Sequence, residues 1–146
     1  MVGKKRSPLA KGSRAVETRE PKVIEKICVL FSFKHLVDMD DVGQSLTAWA
    51  GKDCKLLLGL LQKTAHISKQ TILEAKQDST LTVYGDFPGS GSTDFTCPTH
   101  LQHEKNWGVI RNIGGQKPRV AGFLKDNVFY AVFLDKDHKF WKSNKR

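Results

Sequence analysis

The sequence predicts an α+β domain, with two helices packed on one face of a small antiparallel sheet and a disordered basic arm in front. Three observations carry that class. Residues 27–33 form a dense β-branched and aromatic run, the pattern of a buried strand. Residues 43–64 carry Leu46, Trp49, Ala50, Cys54, Leu57, Leu60 and Leu61, spacings of three and four that align as one helical stripe. Two later apolar runs flank Asp126-Asn127, a pair that tolerates the positive φ of a tight hairpin.

In chain order, residues 1–22 mix Gly, Ser, Pro and charges without an apolar period, which predicts a flexible basic arm. A single α+β domain is expected over 23–146. Asp38, Asp40 and Asp41 precede the helical stripe, where carboxylates meet unpaired N–H groups and a favourable dipole. Gly51 and Gly59 each weaken that helix by roughly 1 kcal/mol relative to Ala, so it must rely on packing. Ser68 is the expected cap of a second, shorter helix through Lys76. Residues 81–84 read as a short strand and 85–93 as a flexible loop. That loop lacks the Gly-Lys-Ser/Thr ending of a phosphate loop. Strands are expected at 107–113, 119–125 and 128–134.

The hairpin assigns faces. With Asp126-Asn127 at the tip, Leu124 opposes Phe129, Gly122 opposes Ala131 and Val120 opposes Phe133, an apolar face for the helices. The other face pairs Lys125 with Val128, Phe123 with Tyr130, Ala121 with Val132 and Arg119 with Leu134. Its mixture of cations and rings predicts a nucleic-acid surface.

The formal charge of +9 is uneven. Residues 1–26 hold eight Lys/Arg against three Glu, and residues 136–146 five against one Asp. The middle holds eleven of each sign, so a neutral globule carries two basic ends. At the C-terminal end Phe140 and Trp141 interleave with Lys136, Lys139 and Lys142. Such a run either stacks on bases while its ammonium groups meet phosphates, or tucks the chain end against the core. No apolar run approaches the ~20 residues that span a bilayer. Cys28, Cys54 and Cys97 are too few for a disulfide framework. The expectation is a reduced, cytoplasmic protein with no membrane partner.

Candidate chemistry narrows quickly. Cys97, His100 and His103 are spaced by three and could face one way toward zinc, but no second Cys/His pair supplies a fourth ligand. Solvent-facing loop histidines are the better account, and no metal or other cofactor is expected. Cys28 and Cys54 sit in apolar runs that raise a thiol's pKa, which argues against a nucleophile. Arg111, Arg119, Lys125, Tyr130, His138, Lys139, Trp141 and Lys142 remain. Cleavage of RNA by its own 2′-hydroxyl needs a base, cations at the phosphate and an acid for the leaving oxygen. These residue types can supply them. Solvated charges on an exposed sheet face are the plainer explanation.

Three segments also carry a resemblance: Arg119-Val120-Ala121-Gly122-Phe123, Asn127 through Asp135, and His138-Lys139-Phe140-Trp141. They look like a group of small bacterial and phage-borne proteins and, more remotely, are similar to RelE/ParE-type toxins. The resemblance implies a RelE-like plan of strand, two helices and antiparallel meander. It implies an endoribonuclease acting on ribosome-bound mRNA and held in check by an antitoxin protein. On that plan Arg119 stabilises the transition state and His138 is the acid or base. From their residue types, Arg111, Lys125, Tyr130, Lys139, Trp141 and Lys142 are the expected RNA contacts. The chain departs from the plan in lacking a terminal Tyr and in its long 85–106 insertion. The alternative is a non-catalytic nucleic-acid- or partner-binding module on the same face.

Overall fold

A computed structural model describes residues 26–142; the arm expected over 1–22 lies outside the described residues. The architecture is α+β. Its order is β1 (Leu30–Ser32), α1 (Leu46–Ala50), α2 (Lys55–Ile67), α3 (Ile72–Gln77), β2 (Leu81–Gly85), β3 (Trp107–Ile110), β4 (Arg119–Lys125) and β5 (Val128–Asp135), with one 3₁₀ turn at Thr99–Leu101. The five strands lie in the order β1-β5-β4-β3-β2. The chain therefore leaves one edge, crosses a face as helices, enters the far edge and meanders back. The meander is antiparallel, but β1 runs parallel to β5. The sheet is mixed where a purely antiparallel one was expected.

Two expected helices are three. The 43–64 stripe breaks because Gly51 and Cys54 both take positive φ, 52° and 56°, a conformation that cannot continue a right-handed helix. Asp38 and Asp40 serve the start of α1, accepting from the N–H groups of Leu46 (2.8 Å) and Ser45 (2.9 Å). The third helix starts at a capping box of Thr71 and Glu74, not at Ser68. There two orphan N–H groups are satisfied reciprocally. β1 is an edge strand with Leu30 exposed, not a buried one.

Two cores result, one on each face of the sheet. On the inner face Trp49, Leu60, Ile67 and Ala75 of the helices pack on Ile110, Val120, Phe129, Ala131 and Leu134. On the outer face Trp107, Val109, Ala121, Phe123 and Val132 are covered by Phe95, Leu101 and Phe140 from loops and tail. The expected exposed, basic-aromatic sheet face is thus largely a second core. The hairpin pairs as read from Lys125↔Val128 to Gly122↔Ala131, and then a bulge intervenes, so that Ala121 pairs with Phe133 and Arg119 with Asp135. One extra residue, Val132, turns Phe133 to the outer face. Its carbonyl accepts the Val37 N–H (2.8 Å), anchoring the 33–45 segment across that face.

Candidate phosphate-facing site at the sheet end

Strand pairing builds a polar row at one end of the outer face. Arg119 pairs with Asp135 of β5. Ile110 pairs with Val120, so Arg111, the next residue on β3's path, falls beside Arg119. Side chains alternate along a strand, and these three share the side of Val109 and Ala121. After β5 the chain doubles back. The Asp135 carboxylate is 1% exposed and accepts the N–H groups of Lys139 (2.9 Å) and Phe140 (2.9 Å). His138 turns at φ 62° inside that loop, and Phe140 plugs the outer core. Trp141 then stacks on Tyr84 of β2, centroids 4.1 Å apart.

Arg119 is 5% exposed and gives its Nε to the Lys117 carbonyl (3.1 Å) and its Nη2 to the Gln116 carbonyl (3.0 Å). Its guanidinium fixes the β3–β4 loop from beneath. Arg111 lies beside it, half-buried, with a buried Nε that meets no partner among the described residues. Burial, then the nearby Arg119 guanidinium, hold the His138 imidazole below its ordinary pKa, against the pull of Asp135. The shift favours the neutral ring, which can accept a proton. Burial pushes the Asp135 carboxyl above the usual range despite the N–H groups it accepts. Burial, with Arg111 alongside, lowers Arg119, which nevertheless stays charged. An imidazole beside two guanidiniums, with a phenol and an indole at hand, can hold a phosphodiester and take a proton from its neighbour.

Of the residues expected to act together, the fold brings together Arg111, Arg119, His138 and Trp141. Lys125 lies at the other end of β4, about 20 Å away at ~3.3 Å per residue, with its Nζ 3.7 Å from Glu104. Tyr130 is half-buried, stacked on Phe123 (5.0 Å) and near the His35 ring (5.6 Å). Lys139 projects from the tail, whereas Lys142 is paired with Asp94 at 2.6 Å. Tyr84 and Asp135 were missed. Asp135 carries a sequence signal, an Asp just ahead of the turn whose N–H groups it accepts; Tyr84 carries none beyond strand alternation.

Cys97, His100 and His103 diverge. The Cys97 thiol, raised by burial, turns to the Pro98 carbonyl (3.6 Å), the His100 ring faces His35 (5.3 Å), and His103 meets Glu104 (3.3 Å). No group of three His, Cys, Asp or Glu able to hold a metal exists among the described residues. No helix there is long and apolar enough to cross a membrane. Compared with family models, with curated proteins and with solved structures, the chain finds no match in any of the three.

Proposed function

We propose that this protein is a toxin-like RNA endonuclease of the RelE type, acting on ribosome-bound mRNA without a metal and neutralised by an antitoxin protein. The observation that carries the reading is the half-buried His138 beside Arg111 and Arg119 at the end of the sheet, its imidazole pKa lowered first by burial. The element order, a strand, then helices, then a meander, supports it as well. In this reading His138 takes the proton from a ribose 2′-hydroxyl, and the freed oxygen attacks the adjacent phosphorus. Arg111 meets the charge that grows on the phosphorane, where fixed cations contribute most. The P–O5′ bond breaks as O5′ takes a proton from Tyr84. The products are a 2′,3′-cyclic phosphate and a 5′-hydroxyl. Arg119 acts from below, holding the loop and biasing His138 toward its neutral form. Trp141 offers a ring on which an unstacked base can lie.

The second reading is a binding module without catalysis. One observation favours it: Arg119 is buried and already bonded to two carbonyls, so it does not reach a substrate as it stands. Expression in a bacterial host separates the two, comparing wild type with His138→Ala by growth and by mapping RNA 5′ ends. New ends with growth arrest, lost in the variant while the purified variant still binds RNA, support cleavage. Unchanged ends with soluble wild-type protein present leave the binding module. Because the imidazole's pKa is lowered, the acidic limb of the cleavage rate should fall below the ordinary histidine value of about 6.5. A limb well above that value would remove His138 as the base.

A further inference from the structure

The cavities of this molecule differ in the chemistry of their walls. The groove along Phe33, Leu46, Leu57 and Leu61 has no polar lining, and nothing indicates what covers it. The hollow by Phe95 includes Asp41, and the one by Lys125 includes Glu104 and Asp126. Among the described residues, a fourth cavity, between α2 and the β3–β4 loop, combines an ammonium with polar donors and no carboxylate in its lining. Gln62, Lys63 and His66 line one side, and Asn112, Gly114 and Gly115 the other, around about 290 Å³.

Its construction follows from spacing and from two glycines. Residues 59, 62, 63 and 66 fall on one face of α2, so a single helical face presents an amide, an ammonium and an imidazole. A Cβ on Gly59 would sit 2.8 Å from the Gly114 nitrogen, so only glycine lets the loop backbone lie against the helix. Asn112 and Gly114 both take positive φ, 60° and 70°. Within these turns the Gly114 N–H goes to the Asn112 carbonyl (3.1 Å) and the Ile113 N–H to the Pro118 carbonyl (3.0 Å), which leaves Gly115, on the cavity wall, as the backbone donor for an anion. From the other side Arg119 grips the same loop through the Gln116 and Lys117 carbonyls. Asp78 stands behind His66 at 3.4 Å, occupied by Gln70 and by the Thr80 N–H.

The geometry points to a phosphate-binding pocket at Lys63, His66, Asn112 and the Gly115 backbone. The phosphate belongs either to an RNA backbone passing over the β3–β4 loop or to a free phosphorylated small molecule. The pocket stands without the proposed cleavage, because Lys63 and His66 come from α2, on the inner face of the sheet, and His138 follows β5 at its outer face.

The test is a titration of inorganic phosphate into ¹⁵N-labelled full-length protein, followed by amide shifts. Saturable shifts at Gly114 and Gly115, weakened about tenfold in Lys63→Gln and unchanged in Lys105→Gln, are expected for loss of one charge-assisted contact. Shifts scattered over the basic surface, or an affinity that Lys63→Gln leaves unaltered, would overturn the pocket. A short RNA oligonucleotide distinguishes the sources. If it shifts the same amides and inorganic phosphate displaces it, the ligand is backbone phosphate. If inorganic phosphate alone reaches them, the ligand is a free phosphorylated molecule. No cleavage is read in any arm, so this proposal and the nuclease fail separately.

Discussion

The two faces of the sheet bury comparable side chains by different means. The inner face is covered by helices, whose ladders of backbone bonds are self-contained and whose stripes repeat every three or four residues. The outer face is covered by segments without regular structure, each pinned by a few particular bonds. Val37 reaches the bulge carbonyl of Val132, Asp94 reaches Lys139, and Lys142 reaches Ser92 at 2.7 Å. Asp135 holds the returning tail. Order on the outer face is therefore concentrated in a handful of residues, and the candidate site lies at the seam where they meet.

The largest expected effect tests whether the outer layer is a true core. Phe129 and Phe140 are both fully buried, one beneath the helices and one beneath the loops. Each truncation to Ala should cost about 3–5 kcal/mol in chemical denaturation. A Phe140→Ala cost under about 1 kcal/mol would make the outer layer a detachable cover. Next in size is Asp135→Asn, expected to cost about 1–3 kcal/mol because one of the acceptor oxygens becomes a donor facing buried N–H groups.

The smallest effects are in pH dependence, and the two layers should differ in sign. Asp78, at the end of α3, is held well below the usual carboxylate range, first by the Thr80 hydrogen bond. A depressed folded pKa contributes stability above the ordinary value, about 3.9, and loses it as pH falls below. Asp135 is raised by burial, so the native state binds its proton more tightly and stability declines as pH rises through the interval above that value. Denaturation midpoints across the acid range should show Asp78→Asn removing the first slope and Asp135→Asn the second. Identical profiles for both variants would show that neither carboxylate governs acid stability.

The same division governs what could be read from the residues. The tip of the β4–β5 hairpin was legible because Asp126-Asn127 fixes register locally. The bulge at Val132 was not, since Val128 through Leu134 reads as one unbroken apolar run. Helical spacing found α2 but ran through the left-handed turns at Gly51 and Cys54. The outer cover left no periodic trace: Phe87, Phe95, Leu101 and Phe140 occur singly in loops, and their joint burial appears only in three dimensions. This is why Arg119 and Tyr130 were expected at a surface and lie largely beneath one. Arg111, Arg119 and His138 were grouped by residue type and the fold does place them together, whereas Lys125 was misplaced because residue type carries no information about which end of a strand is involved.

The parallel pairing of β1 with β5 has a bearing on synthesis. Leu30 finds its partner only when Val128 exists, so β1 waits for β5. Until then the edge of β1 and the apolar side of Phe31 stay open, and contacts so distant in sequence close slowly. His138 also follows β5 in the chain. A chain not yet synthesised as far as residue 138 thus carries no assembled corner of histidine and arginine.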